Sequence, residues 1–240
     1  MKLIYVADSG HVPYGDKSPG YITQRSLAIA QFLVDQGAEA IVIACNTATA
    51  AAAAALREKY SLPIVAMEPA IKPAVAATRN GVVGVLATIG TLESARFAAL
   101  LGKYAGNVQI VTQGCPGLVE LVEHGDLQSQ EARMLLERYI APLLQAQADT
   151  FILGCTHYPF LVPLIREVAG ENITLIDTGA AVARELRRRI ESELPPALHG
   201  ETAAAMEIFY TSGNPDRVSH IVSLLWRNLT EVKCLPEAIL

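Results

Sequence analysis

"VIACNTATA" (residues 42–50) is the stretch that decides how this chain is read. A run of β-favouring apolar residues stops at Cys45, Asn46 and Thr47 follow, and then comes an alanine run whose preference is helical. "FILGCTHYP" (151–159) repeats the grammar: an apolar run, Cys155, the polar Thr156 and His157, then a helical pattern. Twice, a thiol stands at the end of a buried strand with hydroxyl, amide or imidazole groups directly behind it. The echo between "IACNT" and "LGCTH" points to two related halves.

Outward from these stretches, strands and helices alternate. "KLIYVAD" (2–8) is strand-like and leads into the loop "HVPYGDKSPG" (11–20), rich in Pro and Gly. Helical spacing follows over 21–37, a strand over 38–45, a helix over 47–60, and a strand over 63–67. The pattern continues with a helix at 70–81, a strand at 82–88, one helix over 92–106, and a strand at 108–113. Two helices occupy 117–125 and 129–147, and a strand and helix occupy 150–155 and 159–170. A strand at 174–178, a helix at 179–194, a strand at 206–212, a helix at 215–229 and a last strand at 231–235 complete the reading. Near-continuous apolar strands separated by helices imply an α/β fold of parallel sheets covered on both faces. Ligands then bind beyond the carboxyl ends of the strands. Cys45, Thr88, Cys155, Asp177 and Thr211 all fall at that edge. "SELPPALHGETAAA" (192–205) is the most linker-like segment.

Bulk properties narrow the function. About half of the 240 residues are apolar, enough for a real core. The net charge of −5 argues against direct nucleic-acid binding. The basic "RELRRR" (184–189) reads as a solvated helix face. The apolar runs are shorter than the ~20 residues that span a bilayer, and no signal sequence opens the chain. No CxxC pair occurs among Cys45, Cys115, Cys155 and Cys234, so no zinc ribbon or redox motif is expected, and the chain reads as cytoplasmic with reduced thiols. Cys234 and Cys115, the latter in a "GCPG" turn, read as structural.

The chemistry follows from the other two thiols. A thiol just ahead of a helix faces unpaired N–H groups and the positive end of the dipole, which favours thiolate over a free pKa of about 8.5. Two such thiols facing each other could remove a proton from one face of a carbon and deliver one to the other, inverting a stereocentre without a cofactor. The α-proton of an amino acid is a poor acid, so the site must also hold the ammonium and carboxylate and exclude water. Asn46, Thr47, Thr88, Thr91 and Thr156 could supply those contacts. A cysteine hydrolase is a weaker alternative, because it leaves the second thiol idle.

"ACNTATA" (44–50), "GCTHYP" (154–159) and "VPYG" (12–15) together resemble the glutamate racemases, of the cofactor-independent aspartate/glutamate racemase superfamily. The likeness continues through "GVLATIGTLES" (84–94), "GCPGLVELVEHG" (114–125) and "LIDTGAAVA" (175–183). It implies two pseudo-symmetric lobes, each a mostly parallel sheet flanked by helices, with the active site between them. Lobe one would comprise 1–68 and 179–240, and lobe two 69–178. By the same match Cys45 and Cys155 are the two acid/base thiols, His157 and Glu123 assist, and Pro13, Tyr14, Gly15, Asn46, Thr47, Thr88, Thr91 and Thr156 contact substrate. No metal or cofactor is implied. The activity implied is interconversion of L- and D-glutamate for peptidoglycan synthesis, by a homodimer that is not membrane-bound. The alternatives within the resemblance are a racemase of aspartate or a hydantoin, and an inactive member with a binding role, since some members are described as binding DNA gyrase.

One departure stands out. The family opens with a strand ending in a "DSGxGG"-type turn and a helix, whose Asp assists the first thiol. Asp8-Ser9-Gly10 carries the letters of that turn without its second glycine pair, and Asp8 aligns better with the end of the family's second strand. Lobe one is therefore expected to lack a strand–helix unit of about 25–30 residues. An exposed sheet edge and weak or absent turnover would follow, unless Asp8 takes over the missing Asp's role.

Overall fold

The structure, a computed structural model, describes residues 2–195 and 206–239. Most of the expected linker, 196–205, lies outside the described residues. The chain alternates in the expected way: β1 (Lys2–Ala7), α1 (Pro19–Asp35), β2 (Ile41–Ile43), α2 (Asn46–Lys59) and β3 (Ile64–Ala66) come first. Then follow α3 (Ile71–Ala77), β4 (Val82–Ala87), α4 (Ile89–Leu92), α5 (Ala95–Tyr104), β5 (Gln109–Gly114), α6 (Leu118–Glu123) and α7 (Gln130–Gln145). The rest is β6 (Thr150–Leu153), α8 (Val162–Ala169), β7 (Thr174–Ile176), α9 (Gly179–Glu193), β8 (Met206–Thr211), α10 (Pro215–Trp226) and β9 (Val232–Cys234).

One parallel sheet has the order β5-β4-β6-β7. Its central strands β4 and β6 are almost wholly buried because both faces are covered, while the edge strand β5 carries Gln109, Thr112 and Gln113. Side chains alternate across a strand. Leu86, Phe151 and Leu153 therefore join the core under α6, α7 and α8, while Val83, Val85, Ala87 and Ile152 join the core under α3 and α5. Gly154 matters at the end of β6. A methyl there would stand 2.9 Å from the Ala87 Cβ and 3.0 Å from the Leu86 carbonyl oxygen. Only a bare Cα lets β6 end this close to β4, and Cys155 is the next residue.

The other lobe holds two separate parallel sheets, β1-β8-β9 and β2-β3. Alanines 48, 52 and 53 of α2 are buried with Leu56, against Ile22 and Ala30 of α1 and Ile41, Ile43 and Ile64 of the sheet. Small side chains let α1 come close enough for the Thr23 hydroxyl to donate to the Ala51 carbonyl at 3.0 Å. β1 and β2 are joined by α1, yet β1 pairs with β8, β2 pairs with β3, and they have no common partner among the described residues. Leu3 and Tyr5 on β1 are 39% and 43% exposed.

Several boundaries differ from expectation, three of them for evident local reasons. The helix expected over 92–106 is two, because Thr88 caps α4 through the Thr91 N–H and Ser94 caps α5 through the Phe97 N–H. Residues 158–161 form a 3-10 turn ahead of α8, with prolines at 159 and 163. The strand expected over 38–45 narrows to the three residues that pair with β3.

Gly154→Ala is expected to cost about 1–3 kcal/mol, since neither the Ala87 Cβ nor the Leu86 backbone can yield cheaply. Urea unfolding measures this, and an unchanged midpoint would contradict the tight β4–β6 approach.

Candidate active site

The two thiols stand at carboxyl ends of strands in different lobes. Cys45 follows β2 and is the N-cap of α2, where its sulfur accepts from the Ala48 N–H at 3.4 Å. Cys155 follows β6 and Gly154 and is 8% exposed. The two are close enough that charge on Cys155 acts on Cys45.

The acidity of Cys45 runs opposite to the sequence expectation. Burial pushes its thiol up to about 11, outweighing the Ala48 and Thr47 donors that favour thiolate. Helix-end stabilisation is worth at most a few kcal/mol, and removal from water with a second sulfur nearby exceeds it here. Cys45 is therefore protonated at neutral pH.

Behind Cys155 lies a chain of polar groups. His157 Nδ1 lies 3.7 Å from the Cys155 sulfur, and His157 Nε2 lies 2.7 Å from Glu123 Oε1, at the end of α6. Burial alone would lower the imidazole. Its bonds to Cys155 and Glu123 outweigh that and push it up to about 10, so His157 is an imidazolium at neutral pH with Glu123 as counter-charge.

Between the lobes, three hydroxyls form a ring. Thr47 Oγ1 on α2 lies 2.8 Å from Thr88 Oγ1 and 3.0 Å from Thr91 Oγ1, and the last two are 3.0 Å apart. Each hydroxyl can donate once and accept once around the ring. At about 1 kcal/mol net per bond, this is a modest but specific clasp between lobes. Beside it, Asn46 is 5% exposed and its Oδ1 has no partner among the described residues. Thr156 is half-buried between Cys155 and His157.

Pro13 and Gly15 line a small cleft together with Thr88, Cys115 and Pro116. Tyr14 turns the other way, and its hydroxyl donates to Asp8 Oδ2. Asp8 also accepts from Arg25 Nε at 3.1 Å and from an Arg25 terminal nitrogen at 2.6 Å. Burial would raise the Asp8 carboxyl, but Arg25, Tyr14 and Ser212 hold it below the usual carboxylate range. Asp8 is thus committed to Arg25 and is not free to serve Cys45.

The remaining strand-end residues are structural. Asp177 accepts from the Gly179 N–H at 2.8 Å, and Thr211 from the Gly213 N–H at 2.9 Å. Cys115 is buried, donates to the Gln113 carbonyl, and offers its own carbonyl to the Tyr158 hydroxyl. One feature escaped sequence reading. Arg25 sits on the buried face of α1 with Ile22 and Phe32, and a cation on an apolar stripe was the available signal.

A profile of the Asp/Glu/hydantoin racemase family matches residues 2–186. The chain belongs to this family. It is 58% identical over 225 residues to the glutamate racemase of Pseudomonas aeruginosa PAO1, covering 93% of this chain and 84% of that one. The fold superposes on the glutamate racemase of Escherichia coli, solved with L-glutamate and the activator UDP-MurNAc-Ala, with a TM-score of 0.84 and 35% identity, over 96% of this chain and 86% of that one. Glutamate racemase isoform RacE1 of Bacillus anthracis gives a TM-score of 0.87 at 28% identity, over 98% and 88% of the chains. This racemase-family chain shares with them an α/β fold of parallel sheets flanked by helices in two lobes. Among the described residues, no helix is long and apolar enough to cross a membrane.

The His157–Glu123 pair contributes stability that is complete below about 6.5, the unfolded imidazole value, and is lost as pH rises through about 10. An NMR titration of the His157 ring is expected to give a midpoint near 10, falling by about one unit or more in Glu123→Gln. A wild-type midpoint near 6.5 would contradict the pairing.

Proposed function

We propose that the chain interconverts L- and D-glutamate by two-thiol acid/base catalysis, with no cofactor, supplying D-glutamate for peptidoglycan precursors. The carrying observation is that Cys45 and Cys155 stand at strand ends of different lobes that the Thr47–Thr88 hydroxyl contact brings together, with Cys155 among the groups whose charge reaches Cys45. Support for glutamate comes from the 58%-identical relative and from the E. coli relative solved with L-glutamate.

Cys45 holds its proton, and Cys155 has an imidazolium at 3.7 Å. In one direction the Cys155 sulfur, as thiolate, takes the α-proton from one face while the Cys45 S–H protonates the other. The product leaves the thiols with exchanged protonation, and the opposite enantiomer is handled in reverse. His157, tied to Glu123, is the group through which Cys155 exchanges its proton. Asn46 Oδ1, a buried acceptor without a partner among the described residues, suits the substrate ammonium. The Thr47, Thr88 and Thr91 hydroxyls satisfy one another, so donating to a carboxylate means opening the ring. Pro13, Gly15 and Thr156 complete the substrate contacts, with Tyr14 taking part through its backbone, since its hydroxyl is held by Asp8. The lobes divide at 68/69 and 178/179, where the chain crosses between sheets.

Three further parts belong to this reading. Among the described residues β1 pairs only with β8 and β2 only with β3, so both strands offer an edge to a further pairing partner. The free cysteines fit a reducing cytoplasm. Exposed Met206, Leu224, Trp226 and Leu229 favour a homodimer.

The test is α-hydrogen exchange of L- and D-glutamate in heavy water. Exchange of both enantiomers is expected, with Cys45→Ser and Cys155→Ser each abolishing racemisation and each favouring exchange of a different enantiomer. Identical behaviour of the two variants would contradict the two-base scheme. Exchange of aspartate instead of glutamate would move the substrate assignment to another member activity.

A further inference from the structure

The Asp8–Arg25 pair is the most enclosed ion pair among the described residues, its side chains only 6% and 11% exposed, and it touches none of the reacting groups. Its surroundings show what it holds. Arg25 uses every face of its guanidinium: Nε and one terminal nitrogen grip both Asp8 oxygens, and the other terminal nitrogen donates to the Ile239 carbonyl at 2.6 Å. Asp8 passes the grip on to the Tyr14 hydroxyl. Tyr14 opens the turn Tyr14–Asp16, which closes with the Lys17 N–H donating to the Tyr14 carbonyl at 3.1 Å.

That turn is pressed against the other lobe. A methyl on Gly15 would lie 3.2 Å from the Thr88 Cβ, and one on Gly90 would lie 3.0 Å from the Gly15 carbonyl oxygen. Thr88 belongs to the hydroxyl ring with Thr47 and Thr91. A small displacement of Tyr14 therefore moves Gly15 toward or away from Thr88, with no soft side chain between them to absorb it.

We propose that Arg25 is a positioning residue for the substrate loop: through Asp8 and Tyr14 it sets the seating of residues 13–15 against lobe two, and through Ile239 it ties that seating to the chain's C-terminal turn. The proposal rests on the reading of residues 13–15 as substrate contacts. Arg25 itself meets no substrate. Its fork matters more than its charge, because a lysine offers one compact ammonium where Arg25 serves two carboxylate oxygens and a carbonyl.

Arg25→Lys tests this, since it keeps the cation beside Asp8. Amide hydrogen exchange of residues 14–17 is expected to quicken on the order of tenfold, with α2 and β4 unchanged, and the glutamate KM is expected to rise about tenfold with kcat within about twofold. Wild-type exchange in the loop, or a loss confined to kcat, would overturn the proposal. The double variant Asp8→Asn with Arg25→Met guards against misfolding, because it leaves no lone buried charge. It is expected to keep native circular dichroism and show the same quickened loop, and native protection of residues 14–17 in it would also overturn the proposal. A wild-type chain that exchanges no glutamate α-hydrogen would refute the racemase reading, while the loop measurement would still decide the role of Arg25.

Discussion

Three threonine hydroxyls, on Thr47, Thr88 and Thr91, hold two sheet edges face to face. Everything proposed for the site depends on that contact. Cys45 belongs to one lobe and Cys155 to the other, so neither lobe alone can place two sulfurs about a single carbon. Parallel strands bring both thiols to carboxyl ends, and the ring keeps those ends opposed. Misplacing reacting groups by about 1 Å can cost on the order of a hundredfold in rate. A clasp of modest strength is thus sufficient, provided its geometry is specific.

The electrostatics of the site come from enclosure more than from helix ends. Cys45 sits where helix N–H groups should make it acidic, yet burial pushes it up to about 11. His157 sits where burial should keep it neutral, yet its partners push it up to about 10. One sulfur thus keeps its proton while the other faces a cation, which is the asymmetry a proton removal on one face and a delivery on the other require. Glu123 makes this possible from outside the two cysteine motifs, at the end of a helix whose packing under the lobe-two sheet brings it to His157.

The alternation of strands and helices was legible because apolar runs bounded by Gly, Pro and capping residues carry it locally. The thiol pair was legible because both copies stand at strand ends with the same polar followers. Three things were not. The ring across the lobes joins Thr47 to residues 41 and 44 positions away, which no local pattern reports. The acidity of Cys45 depends on how much protein surrounds it, and sequence reading allowed only for the helix behind it. Arg25 stood in plain view on an apolar stripe, but its partner Asp8 was read as an alignment marker and not as half of a buried pair. The break between α4 and α5 could have been seen, since Thr88 and Ser94 each precede a helical start by the spacing of an N-cap.

A crystal structure of the chain with glutamate bound tests the central claim most directly. The account predicts the α-carbon between the Cys45 and Cys155 sulfurs, within about 3–3.5 Å of each on opposite faces, with the ammonium toward Asn46. Glutamate seated away from the two sulfurs, or within reach of only one of them, would contradict it.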